Sequence, residues 1–230
     1  MKITNITAQQ KNRNRVNIFV DGSYRLSLDI YQVSELGIAV GKEYAPAELQ
    51  ALEIESQFGK IYNRALEYCL SRPHSAREVR DYLWRKTRST KRLVKPKASQ
   101  SGYETGQSKL VEIPGIPESI AERVFERLEL KGYIDDYKFC QYWVENRNLT
   151  KGISRRKLIN ELRAKGVDAA IIEDTLANTS RSDEDELAKI VAKKYHKYDQ
   201  QKLIAYLARQ GFGYDEIKQA IKDFEEATDS

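Results

Sequence analysis

The chain is poor in the residues that most often carry chemistry. In 230 residues it has two cysteines, Cys69 and Cys140, and two histidines, His74 and His196. A structural zinc site needs about four nitrogen or sulfur ligands at close spacing, and none of these four stands in a CxxC or a Cys/His cluster. A Ser-His-Asp triad is excluded with it, since neither histidine has a nucleophile motif nearby. No GxxxxGK[ST], GxGxxG or HExxH string occurs. No run of ~20 apolar residues is present, and the opening Met1-Lys2-Ile3-Thr4-Asn5 lacks the apolar stretch of a secretion signal. These absences set the expectation of a cytoplasmic protein that binds a partner, needs no cofactor or metal, touches no membrane and is not an enzyme.

What is present is charge, unevenly spread. Charged residues make up 32% of the chain and hydrophobic ones 40%, with 10% aromatics, enough apolar surface to fold. The net +5 conceals segregation. Residues 56–86 hold 7 basic and 3 acidic side chains, 87–114 hold 6 and 2, and 151–180 hold 6 and 4. The stretches 1–55, 115–150 and 181–230 are each net negative. Basic clusters of this kind attract polyanions, although a solvated helix face gives the same count.

The first ~50 residues read as strands and short helices. Asn14 to Val20 alternates polar and apolar, Asp21-Gly22 follows, and Tyr24 to Leu28 alternates again, a strong hairpin signal because the turn needs positive φ. Lys2 to Gln9 is a candidate third strand. Asp29 to Leu36 suits a short helix stopped by Gly37, and Pro46 suits the opening of another.

Beyond residue ~55 the pattern is helical and repeated. Ser75 leads to Val79 and Leu83, Ser154 to Leu158 and Leu162, and Asp199 to Leu203 and Leu207. Each set is an N-cap residue followed by one apolar helix face, and Ser75 with Glu78 makes a capping box. In the last two sets a glycine, Gly166 or Gly211, falls 12 positions after the cap, where a left-handed residue ends a helix. A helix precedes each set, roughly Gln57–Ser71, Asp136–Asn148 and Asp183–Lys197. Another follows, with Ile120, Ala121 and Phe125, then Ile171, Ile172 and Leu176, then Glu216, Ile217 and Ile221. The expected fold is mainly α. Tandem three-helix repeats form an elongated helical solenoid, preceded by a small N-terminal β-hairpin module. The expected domains are 1–55 for the module, 56–134 for repeat one, 135–180 for repeat two and 181–230 for repeat three. In repeat one the distance from Ser75 to Gly115 is 40 positions, so about 28 extra residues, 87–114, form a basic insertion read as a mobile loop or loose hairpin.

The local strings resemble the RecX family of bacterial recombination regulators. Arg72, Ser75, Glu78-Val79 and Leu83 match its first-repeat R-x-x-S-x-x-E-[LV]-x-x-x-L. Gly132-Tyr133-Ile134-Asp135-Asp136 with Phe139 matches its G-[FY]-[IL]-[DN]-D-x-x-[FY]. Gly152, Lys157-Leu158, Leu162 and Lys165-Gly166 are similar to its second-repeat string. The strings together span most of 56–221, and the hairpin module resembles the N-terminal extension of some members. Cys140 stands where alanine is usual, and the insertion departs from the compact pattern. The resemblance implies a modulator of the RecA recombinase, usually negative. Such a protein lies along the RecA filament on single-stranded DNA and restrains ATP hydrolysis and strand exchange in recombination, DNA repair and the SOS response. A nucleic-acid-binding repeat protein acting on single- or double-stranded DNA without a recombinase is the alternative. The chain is expected to be a monomer.

The candidate binding residues are basic and recur on one helix type. Arg72, Arg77, Arg80, Arg85 and Lys86 lie on or beside the second helix of repeat one. Arg88, Lys91, Arg92, Lys95 and Lys97 extend that charge into the insertion. Lys151, Arg155, Arg156, Lys157 and Arg163 lie on or beside the equivalent helix of repeat two. Such a stripe suits phosphates or the acidic surface of a filament. Asp135 and Asp136 read as a helix cap and a dipole partner rather than a Mg²⁺ pair, for want of a third acid nearby. Trp143 shares a face with Phe139 and reads as core, while Tyr142 is open.

Overall fold

The computed structural model describes residues 1–10, 12–94, 108–149 and 151–228. The chain divides into two compact units, one of residues 1–72 and 79–133, the other of residues 73–78 and 134–230.

The first unit opens with three antiparallel strands, β1 (Ile3–Ala8), β2 (Arg15–Val20) and β3 (Ser23–Asp29), in the order β1-β2-β3. Asp21 and Gly22 have φ of 48° and 82°, the pair of left-handed residues that a primed hairpin turn requires. Alternation places Ile3, Ile18, Val20, Leu26 and Leu28 on one buried face, packed with Ile38, Leu49 and Leu52. Helix α1 (Ile30–Glu35) is capped by Asp29, whose carboxylate accepts from Gln32 N–H while the Gln32 amide oxygen accepts from Asp29 N–H. Helix α2 (Pro46–Ser71) has proline in its first turn. The helix opened by Pro46 and the one expected from Gln57 are a single 26-residue helix. The glycine inside it, Gly59, is buried where a Cβ would run into the Gln32 side chain.

Helices α3 (Ala76–Thr87) and α4 (Glu118–Leu130) complete the first three-helix set, with Val79, Leu83, Val124, Phe125 and Leu128 buried. Between them stands an antiparallel hairpin, β4 (Thr90–Val94) paired with β5 (Lys109–Ile113). All ten of its residues are exposed, matching the loose hairpin read from the sequence. Its base is closed by the Ile116 N–H donating to Lys86 O at 3.0 Å. Gly115 sits so tightly on the Thr87 carbonyl that no side chain fits there.

The second unit holds two further sets. Helices α5 (Asp136–Asn146), α6 (Arg155–Ala164) and α7 (Ala169–Ala177) enclose Phe139, Cys140, Val144, Leu158, Leu162, Ile172 and Leu176. Helix α8 (Asp183–Lys194), extended by a 3₁₀ turn at Tyr195–Lys197, packs with α9 (Gln200–Arg209) and α10 (Tyr214–Thr228) around Leu187, Val191, Leu203, Leu207, Ile217 and Ile221. Glu216, the polar exception in the third-helix pattern, is explained by its carboxylate accepting from Gly213 N–H at 2.8 Å.

One junction recurs. Ser154 Oγ accepts from Lys157 N–H and donates to Gln210 O at 2.7 Å, so one hydroxyl caps α6 and ties it to the end of α9. Ser75 Oγ likewise accepts from Glu78 N–H and donates to Lys165 O at 2.8 Å. The N–H groups of Arg155 and Ala76, each opening its helix, donate to carboxylates of the following set, Asp183 at 2.6 Å and Asp136 at 2.8 Å. Asp135 caps its own helix through Lys138 N–H, whereas Asp136 serves the first turn of α3. The third cap, Asp199, accepts from Lys202 N–H. A hydroxyl both donates and accepts, while an ionised carboxylate only accepts. Serine thus stands where the cap also donates to a neighbouring set, and aspartate where the cap only accepts.

Candidate partner and nucleic-acid interface

The basic side chains divide between the two units. The exposed side of α3 presents Arg77, which belongs to the second unit, and then Arg80, Trp84, Arg85 and, just beyond the helix, Arg88, which belong to the first. Positions 77, 80, 84 and 88 recur every three or four residues and so share one face, opposite Val79 and Leu83. Arg80 lies over the Phe125 ring at 3.8 Å and 3.9 Å from Glu122. Arg88 lies over the Trp84 ring at 3.5 Å, and Lys86 over Tyr82 at 4.9 Å. Trp84 is 50% exposed. Lys91 and Arg92 are exposed on β4, Lys91 facing Glu112 across the hairpin. Arg72 is the half-buried C-cap of α2. Lys95 and Lys97 lie outside the described residues.

In the second unit, Arg156 and Arg163 are exposed and share a face of α6 with Asn160, at intervals of four and three. Lys151 is exposed ahead of the helix. Two of the expected binding residues, exposed Arg155 and half-buried Lys157, are engaged in hydrogen bonds to the rest of the chain. The Arg155 guanidinium donates to Leu176 O at 2.9 Å, and Lys157 Nζ to Gln210 Oε1 at 2.8 Å. Their side chains hold the repeat together, leaving Arg156 and Arg163 as the outward charges of α6.

The same unit holds a buried ionic network that fixes α8 to the loop before α6. Glu186 accepts from Ile153 N–H, from Arg181 Nη2 at 2.8 Å and from Lys189 Nζ at 2.9 Å. Arg181 Nη1 also donates to the carbonyls of Val144 and Arg147. Burial pushes the Glu186 carboxyl up, but the hydrogen bonds from Arg181 and Lys189, with the Arg181 charge, outweigh it and hold it below its ordinary value. Glu161 is held low in the same way, burial being overcome by Arg147 and by the Trp143 indole N–H. Trp143 is therefore half-buried against Phe139, with its ring nitrogen occupied. Burial raises the thiols of Cys69 and Cys140, which suits inert core residues.

Trp84 was not legible as a candidate binding residue by composition. Its signal is positional, an aromatic one step off the buried Leu83 and in register with arginines. From Trp84 to Arg92 the chain carries Arg85, Lys86, Arg88, Lys91 and Arg92 and no acid. An exposed ring among cations can stack on bases or anchor a protein contact.

The N-terminal sheet and the second helical set also match known sequences. Residues 1–44 match the family described as regulatory protein RecX N-terminal domain, and residues 135–176 match RecX, second three-helix domain. Both stretches are similar to the RecX family. The chain is 29% identical to the regulatory protein RecX of Bacillus subtilis, over 99% of this chain and 78% of that one. With that of Bacillus licheniformis it shares 28% identity, over 96% and 76%. With the Clostridium perfringens protein the figures are 29%, 93% and 92%. A crystal structure titled regulatory protein RecX superposes with a TM-score of 0.63 at 21% identity, covering 96% of this chain and 98% of that one, and shares the fold. No helix among the described residues is long and apolar enough to cross a membrane.

Proposed function

We propose that this chain is a non-enzymatic, RecX-like regulator that binds RecA filaments on single-stranded DNA and lowers their ATP hydrolysis and strand exchange. It acts as a cytoplasmic monomer in recombination, DNA repair and the SOS response. The observation that carries the reading is the exposed cationic and aromatic strip from Arg77 through Trp84 to Arg92. Fixed positive charge on a helix and on a protruding hairpin complements a polyanionic filament, and Trp84 supplies an apolar anchor among the charges. Arg156 and Arg163 give α6 a similar, smaller face. In this reading Arg80, whose guanidinium already packs on Phe125, contributes less than Arg77 and Arg85.

The test is binding to RecA–single-stranded DNA filaments and to the free oligonucleotide across a salt series. Filament binding that exceeds free-DNA binding, and that falls when Arg77, Arg85, Arg156 and Arg163 become alanine, supports the proposal. Exposed Trp84 favours the second reading, direct nucleic-acid binding without a recombinase. That reading requires free DNA to bind as tightly as the filament, with affinity falling about one log unit per log salt for each phosphate neutralised.

A further inference from the structure

A second surface lies in the first unit, away from the basic strip in sequence and different from it in chemistry. An open groove of about 1240 Å³ runs between α1, α2 and α4. Its floor is the stacked pair Phe58 and Tyr62, one turn apart on α2 with ring centroids 5.8 Å apart. Its walls carry Tyr31, 73% exposed, and Leu130, 79% exposed, the two most exposed large apolar side chains among the described residues. Ile30 lies beside them, 54% exposed. Scattered apolar side chains on a surface are ordinary, but the two extremes lining one groove over an aromatic floor are a patch that a partner covers.

The rims define the partner. On α4 and its C-cap, Arg123, Arg127 and Lys131 recur every four residues. Arg123 is locked by two hydrogen bonds to Glu55, at 2.7 and 2.9 Å, and lies over the Phe58 ring at 4.2 Å, which fixes that end of the groove. Arg127 and Lys131 make no ion pair among the described residues and flank Leu130. Across the groove α1 presents Glu35. Carboxylates at Asp29, Glu35 and Glu126 make the groove hostile to a phosphate backbone, while that of Glu55 is paired with Arg123. Its size and openness exceed the roughly 300–1,000 Å³ of enclosed small-molecule pockets. A helix laid in a groove presents apolar side chains at i, i+4 and i+7 and reads its rims by charge.

We infer that this groove docks an amphipathic helix of the protein partner, with its apolar ridge over Phe58 and Tyr62 and acidic side chains against Arg127 and Lys131. The inference rests on the filament reading above and assigns the groove to the protein component of the filament, leaving the basic strip to its DNA. The test uses the full chain, fluorescently labelled, with RecA filaments on poly(dT) and, separately, with free oligo(dT). Tyr31→Asp and Leu130→Asp alter exposed side chains, so an unchanged circular dichroism spectrum accompanies them. Each is expected to weaken filament binding at least tenfold with oligo(dT) binding unchanged, and Tyr31→Phe to restore it. Unaltered filament affinity in both Asp variants overturns the groove alone. Wild-type protein that does not bind filaments overturns the functional reading and the groove with it. A wild-type dimer that the same substitutions dissociate overturns it in favour of self-association.

Discussion

The double use of Ser154 gives a prediction that separates capping from repeat stacking. Ser154→Ala removes the acceptor for Lys157 N–H and the donor to Gln210 O. A lost cap costs about 1 kcal/mol, and a lost neutral hydrogen bond about 1 kcal/mol more, so a loss of about 2 kcal/mol is expected. Ser154→Asp keeps the cap but sets a carboxylate oxygen against the Gln210 carbonyl, in a site already tight enough for Ser154 Oγ to occupy the space a Gly211 side chain would need. It should destabilise at least as much as alanine. The reciprocal change, Asp199→Ser, should be nearly neutral, because that cap only accepts. Equilibrium urea unfolding measures this cleanly in a Trp84→Phe background, since Trp143 then reports the second unit alone. Ser154→Asp as stable as the wild type would falsify the proposed reason for serine at this position.

Glu186→Ala strips the partner from a buried arginine and should cost about 3–5 kcal/mol. Because the folded Glu186 carboxyl lies below its ordinary value of 4.5, its contribution is complete above that pH and fades as pH falls through the folded value. The stability gap between wild type and variant should therefore narrow below about pH 4.5, and a gap constant through acid pH would sink this account. Gly115→Ala, forced against the Thr87 carbonyl, should cost about 1–3 kcal/mol, read as a lower urea midpoint by Trp84 fluorescence in a Trp143→Phe background. Replacing residues 88–113 with a short Gly/Ser linker should leave the melting temperature nearly unchanged, since every described strand residue there is exposed, while weakening filament binding. A large fall in melting temperature would mean that the hairpin is a structural part of the first set.

Much of the fold was readable because its punctuation is local. A capping serine or aspartate, apolar residues at four and eight positions and, in two of the sets, a glycine at twelve each have one physical meaning on a helix, and their recurrence exposed the three sets. Asp21-Gly22 gave the hairpin for the same reason. The unity of α2 was less legible, because Gly59 marks a close approach of Gln32 and not a helix end. The candidate surface was only half legible. Charge counts pointed to α3 and α6 but could not separate Arg155 and Lys157, tied to Leu176 O and Gln210, from Arg156 and Arg163, which are exposed. That distinction depends on contacts 21 and 53 residues apart. Trp84 escaped for a related reason, because aromatic residues on helices are usually core. The groove was illegible, since its walls come from three separate helices, α4 starting 47 positions after α2 ends, and only folding juxtaposes them.

The central claim is regulation of a recombinase filament, and the most direct measurement is ATP hydrolysis by RecA on single-stranded DNA as the protein is titrated in. Hydrolysis should fall with increasing protein. The same titration with Arg77, Trp84, Arg85 and Arg88 changed together to alanine should leave it close to the uninhibited rate. A rate unchanged by several-fold excess of the wild-type protein over filament would contradict the account.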